Sequence, residues 1–140
     1  MSVRPRTSSK SLILASRWLH KALGDLQAAE QILKLPDGRC PFDTVCFHAQ
    51  QCIEKSLKAL LTSSGTPFPK THDLGRLLHL CADASRLAKD LSGIEGLTDY
   101  AVEARYPGPE EPIGRSEARQ AMRLARRAYR TISNKLSRSL

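Results

Sequence analysis

Seven apolar side chains, separated by alternating steps of three and four residues, place the strongest constraint on how this chain can fold. They are Leu12, Ala15, Leu19, Ala22, Leu26, Ala29 and Leu33. Because an α-helix turns once every 3.6 residues, this spacing puts all seven on one face, whereas a strand would divide them between two faces. The pattern predicts a long first helix that packs through this face and ends before Pro36 and Gly38.

The rest of the chain repeats this helical spacing in four segments that prolines and glycines separate. The segments cover residues 42–63, 73–90, 94–105 and 116–136. Asp43 stands where it can cap the second helix, and Thr71 or Asp73 can cap the third. Aromatic residues make up only 5% of the chain, which favours helices packed through leucine and alanine over a sheet. We therefore expect an all-α fold, an antiparallel four-helix up-and-down bundle with an additional short helix.

A chain of 140 residues suits one domain with its own core. We expect residues 1–10 to form a disordered basic tail and residues 11–138 to form a single helical domain. The first 17 residues carry no acid and several serines, so a mitochondrial transit peptide is an alternative for this segment. Against that alternative, the apolar pattern of the first helix already begins at Leu12, and cleavage would remove core positions.

Neither a metal site nor a membrane span is predicted. The four cysteines, Cys40, Cys46, Cys52 and Cys81, show no spacing with one another or with histidines that would bind zinc. We expect reduced, buried thiols, a cytoplasmic location, and no metal or other cofactor. The apolar runs are short pieces such as LILA, far below the roughly eighteen residues that a membrane span requires.

The net charge of +8 lies at the two ends of the chain. Residues 1–17 carry +4 and residues 115–140 carry +7, whereas the segment between them carries −3. The last predicted helix sets arginines opposite its alanines, at Arg115, Arg119, Arg123, Arg126 and Arg130. One guanidinium group can donate two parallel hydrogen bonds to the oxygens of a phosphate, so the stripe from Arg119 to Arg130 is a candidate anion surface. The alternative is a solvated helix face that contributes only to solubility.

A polar stripe also runs along the helix predicted over residues 42–63, opposite its apolar face. It consists of His48, Gln51, Glu54, Lys55 and Lys58. If the stripe is a solvated face, its only contribution to stability is an i, i+4 pair between Glu54 and Lys58, worth a few tenths of a kcal/mol. The alternative is that the stripe binds a ligand or a second subunit. His72, Arg105 and Tyr106 follow at predicted helix ends, where functional groups are commonly presented.

Four segments together resemble the HEPN domain family, small helical bundles found in prokaryotes and in some large eukaryotic proteins. They read LHKALGDLQAAEQIL (19–33), FHAQQCIEKSLKALL (47–61), PKTHDLGRLL (69–78) and ARYP (104–107). The order of these motifs is specific. With the alanine-rich, basic last helix, the resemblance spans about residues 15–137.

The resemblance implies two classes of function. Many relatives are homodimers that act as the substrate- or nucleotide-binding partner of a minimal nucleotidyltransferase. Others are metal-independent RNase toxins of toxin–antitoxin pairs, in which an arginine stabilises phosphate charge and a histidine a few residues downstream moves the proton of the attacking hydroxyl. Arg105 matches that arginine, but no histidine follows it in this chain. The nuclease motif is therefore incomplete.

We expect a binding protein that takes a nucleotide or another phosphate-bearing ligand. The candidate ligand-binding residues are Gln51, Glu54, Lys55, Lys58, His72, Arg105 and Tyr106. Lys55, Lys58 and Arg105 would meet the phosphates. The expected partners are a second copy of the chain and a nucleotidyltransferase, and no membrane. RNA is a weaker candidate because few aromatic side chains are available for stacking. The alternative function is an endoribonuclease toxin that uses Arg105 as its catalytic residue without the usual histidine.

Overall fold

The computed structural model describes residues 8–103 and 112–138, and every regular element in this part of the chain is helical. In chain order the elements are α1 (Ser9–Ile32), α2 (Phe42–Ser63), α3 (Leu74–Leu80), α4 (Ala84–Asp90), a 3₁₀ turn (Ile94–Leu97), α5 (Tyr100–Glu103) and α6 (Arg115–Ser137). The predicted all-α bundle is confirmed. None of the described helices is long and apolar enough to cross a membrane.

Helix α2 lies at the centre of the bundle, because it packs on α1, on α6 and on the short elements α3 and α5. Its fully buried Ile53, Leu57 and Leu61 join Met122 and Ile132 of α6 in one apolar cluster. Helix α4 packs on α3 instead. The position of α2 explains why its polar stripe has neighbours on several sides.

The bounds of the long helices follow the sequence closely. Helix α2 has the predicted bounds, and α6 extends one residue further at each end. Helix α1 begins at Ser9, before Leu12, because the Ser8 hydroxyl accepts a hydrogen bond from the Ser11 N–H at 3.0 Å. Asp43 lies in the first turn of α2 and not at its cap, which is Pro41. A carboxylate in that first turn still interacts favourably with the helix dipole.

The prediction of one continuous helix over residues 73–90 is wrong, because the structure divides this segment into α3 and α4. The predicted cap at its start is confirmed, since Asp73 Oδ1 accepts a hydrogen bond from the Arg76 N–H at 3.1 Å. The chain then leaves the helix at Cys81, whose backbone is extended, and Asp83 has a left-handed φ of 54°. Aspartate tolerates this conformation better than most residues do. Asp83 therefore allows the helix to be interrupted at a point that the apolar spacing does not predict.

The helix predicted over residues 94–105 is likewise two shorter elements, the 3₁₀ turn and α5. Thr98 lies between them, and its hydroxyl accepts a hydrogen bond from the Leu74 N–H at 3.1 Å. This hydrogen bond fixes the segment against the start of α3, at the point where the predicted helix is interrupted. Residues 104–105 lie outside the described part of the chain.

The four cysteines are free and buried, as the sequence predicts. Burial raises the pKa of the Cys46 and Cys52 thiols to about 12 and that of Cys81 to about 11. Because the thiolate is the reactive form, these three thiols are unreactive at neutral pH. They act as small apolar side chains in the core.

Candidate functional site

The polar stripe of α2 packs against α1 and against the loop between α2 and α3. These two segments supply partners for its charged groups, and two clusters result. The Glu54 cluster contains Gln50, Glu54, Lys58 and His72, and the Asp25 cluster contains Asp25, His48 and Lys55. Each cluster joins one carboxylate to one lysine ammonium and to the Nδ1 atom of one histidine.

The Glu54 carboxylate is the buried centre of the first cluster, with only 4% of the residue exposed. Its Oε2 accepts a hydrogen bond from Lys58 Nζ at 3.0 Å. Its Oε1 lies 2.7 Å from His72 Nδ1 and accepts a second hydrogen bond from Gln50 Nε2 at 3.2 Å. The predicted pair of Glu54 with Lys58 is therefore present, but it lies inside the protein and not on a solvated face.

These contacts decide the charge state of Glu54. Burial by itself would raise the pKa of the carboxyl group, because a low-dielectric environment disfavours the charged form. The hydrogen bonds from His72, Lys58 and Gln50 act in the opposite direction and prevail, so the pKa lies below its ordinary value. Glu54 is a carboxylate at neutral pH, and the Nδ1 atom of His72 is consequently the donor in their hydrogen bond.

Two aromatic rings enclose the ammonium group of Lys58 on its other side. Lys58 Nζ lies 5.6 Å from the centre of the Trp18 ring and 5.8 Å from that of Phe68. The rings contact each other edge to face, with centres 6.4 Å apart. A cation within about 6 Å of an aromatic face is attracted to it, so the two rings compensate part of the desolvation of Lys58. The ammonium group of Lys58 thus has its partners, Glu54 and the two rings, within the protein.

The carboxylate and the lysine of the Asp25 cluster are more exposed than those of the Glu54 cluster. Asp25 of α1 accepts a hydrogen bond from Lys55 Nζ at 2.6 Å through Oδ2, and its Oδ1 lies 2.8 Å from His48 Nδ1. The side chains of Lys55 and His48 are 23% and 27% exposed. Both can therefore meet a ligand while Asp25 fixes their positions.

Two glutamines connect the α2 stripe to the loop before α3. Gln51 Nε2 donates to Gln50 Oε1 at 2.7 Å, and Gln50 Nε2 donates to the backbone carbonyl of His72 at 3.2 Å. Gln50 is completely buried, so these bonds fix the loop against α2. His72 is held at its carbonyl and at Nδ1, yet its side chain remains 54% exposed.

Five of the seven residues predicted to bind a ligand lie in the described part of the chain, four of them connected through Gln50 and Glu54, and the fifth, Lys55, in the Asp25 cluster. They are Gln51, Glu54, Lys55, Lys58 and His72. The other two, Arg105 and Tyr106, lie outside the described residues. The five assignments remain predictions, but the geometry divides them by accessibility. Lys55 and His72 are open to a ligand, whereas Glu54 and Lys58 are buried and hold other residues in position.

Sequence reasoning missed Asp25, Trp18, Phe68 and Gln50. Asp25 falls on the edge of the apolar face of α1, and Gln50 interrupts the apolar face of α2, so each was a polar residue in an unexpected place. Trp18 is the only tryptophan in the chain. Phe68 stands between two prolines, directly before the PKTHDL motif that contains His72. Its position next to this motif was the signal that could have identified it.

The arginines of α6 do not form one uniform surface. Arg126 Nε donates to Glu30 Oε1 of α1 at 3.0 Å, and Arg123 Nε donates to Gln120 at 2.9 Å. Arg119 and Arg130 are exposed. Arg115 is a structural residue, because its guanidinium group donates to the backbone carbonyls of Leu33 and Leu35, just after the end of α1. The candidate anion surface thus remains a prediction for Arg119, Arg123 and Arg130, while Arg126 is already paired within the chain.

The two histidines of the clusters have the same chemical arrangement. In each, an ionised carboxylate accepts a hydrogen bond from the Nδ1–H group, so Nε2 carries the lone pair in the neutral ring. Among the hydrogen bonds between described residues, none involves Nε2 of His48 or His72. Each imidazole therefore offers Nε2 as a proton acceptor, or as a donor when protonated, and the neighbouring Lys55 offers a positive charge. This chemistry suits a phosphate-bearing ligand.

Comparison with known proteins identifies the family. The family model of the HEPN domain matches residues 15–136. No curated protein gives a match. Among solved structures, the chain is similar to TT1696 from Thermus thermophilus, with 29% sequence identity and a TM-score of 0.74, over 86% of this chain and 97% of that chain. The family resemblance of the four sequence motifs is confirmed by these matches, and this chain belongs to the HEPN domain family.

Proposed function

We propose that this chain is a binding module that takes a nucleotide or another phosphate-bearing ligand at the polar stripe of α2. The observation that carries the proposal is the Asp25 cluster, in which a partly exposed lysine and a partly exposed histidine are held by one carboxylate. Cations that are already fixed lose little side-chain entropy when a ligand binds. Lys55 and the Nε2 atoms of His48 and His72 would contact the phosphate oxygens, together with Arg105.

Glu54 and Lys58 have a supporting role in this proposal. Glu54 orients the His72 ring, and Lys58 neutralises the Glu54 carboxylate from the side of Trp18 and Phe68. Gln51, at the centre of the stripe, would hydrogen-bond the rest of the ligand.

The HEPN family supports two further parts of the proposal. HEPN domains often dimerise, and we propose that this chain acts as a homodimer. We also propose that its protein partner is a minimal nucleotidyltransferase, whose substrate or nucleotide this module would present.

Replacing Lys55 by alanine is expected to weaken nucleotide binding by at least about tenfold, because it removes the accessible ammonium group from the Asp25 cluster. Isothermal titration calorimetry with ATP and GTP, with and without magnesium and at moderate salt, measures the effect. Arg105→Ala is expected to give a loss of similar size. Lys89→Ala removes an exposed lysine on α4 and is the matched control, for which the affinity should not change.

The assignment of a nucleotide as the ligand fails if wild-type protein releases or absorbs no heat with ATP or GTP. The assignment of the binding residues fails if Lys55→Ala and Arg105→Ala bind as wild type does. Circular dichroism of each variant verifies that the helices remain. Because His48 still contacts Asp25 in the Lys55→Ala variant, the carboxylate keeps one partner and the fold should be retained.

A second candidate function, the metal-independent endoribonuclease, is favoured by one specific observation. His72 Nδ1 lies 2.7 Å from a buried carboxylate, an arrangement that fixes an imidazole for general-base catalysis at Nε2. His72 would then replace the histidine that is missing downstream of Arg105. Cleavage of single-stranded RNA in the presence of a chelator, lost in both His72→Gln and Arg105→Ala, would establish this function. RNA that stays intact with wild-type protein would exclude it.

A further inference from the structure

The outer face of α1, turned away from the core, belongs to neither cluster. It consists of Lys10, Ile13, Leu14, Arg17, His20 and Lys21, all of which are exposed. Ile13 and Leu14 are 55% and 40% exposed, and only two other large apolar residues among those described, Leu35 and Leu80, are comparably open. Two adjacent large aliphatic side chains at the surface are therefore a distinctive property of this face.

The charges of this face are all of one sign. The first acidic residue of the chain is Asp25, and it already binds Lys55 and His48. The next, Glu30, contacts Arg126. None of the ion pairs between described residues includes Lys10, Arg17 or Lys21. The face therefore combines apolar surface with positive charge that the described part of the chain does not neutralise.

Two shallow depressions give the face its shape. One is lined by Ile13, Ser16, Arg17, His20 and Lys21, and the other by Leu14, Trp18 and the same Arg17 and Lys21. The two basic side chains thus stand between two apolar hollows along the helix. A partner helix with apolar residues on one side and acids beside them would fill both hollows and pair with both cations.

We propose that the outer face of α1 docks an acidic amphipathic helix of another protein. Charge complementarity decides between the candidate occupants. A second copy packed on this face by two-fold symmetry would bring two surfaces of the same positive sign together, which costs free energy. A nucleic acid would satisfy the cations but would leave Ile13 and Leu14 without apolar contact. An acidic amphipathic helix satisfies both kinds of side chain.

The face covers about three turns of one helix, so the interface is at the small end of specific complexes. We therefore expect micromolar and reversible binding, with a strong dependence on salt concentration because several charges are paired. Trp18 connects this face to the Glu54 cluster, because its ring lines one depression and also lies 5.6 Å from Lys58 Nζ.

Two synthetic helical peptides with the same leucine pattern test the proposal, one with glutamate and one with lysine at the remaining positions. Fluorescence anisotropy of the labelled peptides measures affinity, and the emission of Trp18 reports contact at the face because it is the only tryptophan. The Leu/Glu peptide should bind at least about tenfold more tightly than the Leu/Lys peptide. Arg17→Glu with Lys21→Glu should reverse this preference.

Arg86→Glu with Lys89→Glu is the matched control, because it reverses two exposed charges on α4 and should leave binding of the Leu/Glu peptide within about twofold of wild type. Equal affinity for both peptides would overturn the proposal, as would equal loss in the two charge-reversed variants. Stronger binding to phosphatidylserine vesicles than to the Leu/Glu peptide would assign the face to a lipid surface instead. Dimers that dissociate only in the Arg17→Glu, Lys21→Glu variant would assign it to a second copy.

Discussion

Glu54→Ala is expected to lower the free energy of unfolding by about 3–5 kcal/mol, as is usual when one partner of a buried ion pair is removed. The substitution leaves the ammonium group of Lys58 with the two aromatic rings but without its carboxylate. It also removes the acceptor for His72 Nδ1 and for Gln50 Nε2. Chemical denaturation followed by circular dichroism measures the loss, which would be a large part of the stability of a domain of this size.

Two further variants separate the buried charge from simple loss of packing. Glu95→Ala, at an exposed position, should have almost no effect. Glu54→Leu combined with Lys58→Met should recover much of the stability, because it removes both charges and keeps the volume. If this double variant is as unstable as Glu54→Ala, the uncompensated charge is not the cause.

The same carboxylate makes stability depend on pH. Because the pKa of Glu54 is lowered in the folded state, its contribution is present above the ordinary pKa of a glutamate and is lost as pH falls through the lowered value. The stability difference between wild type and Glu54→Gln should therefore shrink in acid. A difference that stays constant down to low pH would contradict the assignment of a charged Glu54.

Arg115→Ala is expected to lower the free energy of unfolding by about 2–3 kcal/mol, because hydrogen bonds from a charged donor are stronger than neutral ones. Arg115 Nη1 donates to the carbonyl of Leu33 at 2.7 Å, and Nη2 donates to that of Leu35 at 2.6 Å. Its guanidinium carbon lies 4.9 Å from the centre of the Phe42 ring. The side chain therefore connects the start of α6 to the end of α1 and the start of α2. Thermal and urea unfolding measure the loss.

The ion pair of Arg115 with Asp37 is expected to contribute little to this value. Although Arg115 Nε lies 2.6 Å from Asp37 Oδ1, the aspartate side chain is 81% exposed, and exposed pairs contribute about 0–1 kcal/mol. Asp37→Ala should thus cost far less than Arg115→Ala. Arg115→Lys should recover less than half of the loss, because an ammonium group cannot reach both carbonyls in the geometry of the guanidinium fork. Equal effects of Asp37→Ala and Arg115→Ala would refute this account.

The helical elements whose signals are local could be predicted from the amino-acid sequence alone. The apolar spacing places α2 at Phe42–Ser63 and α6 within one residue of its observed ends, because helix periodicity and the prolines and glycines between helices depend on neighbouring residues alone. The motifs in α1, α2 and the PKTHDL loop also identify the family. Local signals sufficed for the class of fold and for the polar side chains along α2.

The contacts of those polar side chains, in contrast, depend on how the helices pack. Asp25 is 30 residues from Lys55 along the chain, and His72 is 18 from Glu54, so no local pattern reveals that they pair. The same holds for Arg115, which belongs to the arginine stripe by spacing but contacts α1 because the bundle brings the helix ends together. The break between α3 and α4 could not be predicted from the sequence either, because leucines on both sides of it are buried and continue the apolar pattern. Spacing along one helix specifies which face a side chain occupies, whereas its partner depends on how distant segments pack.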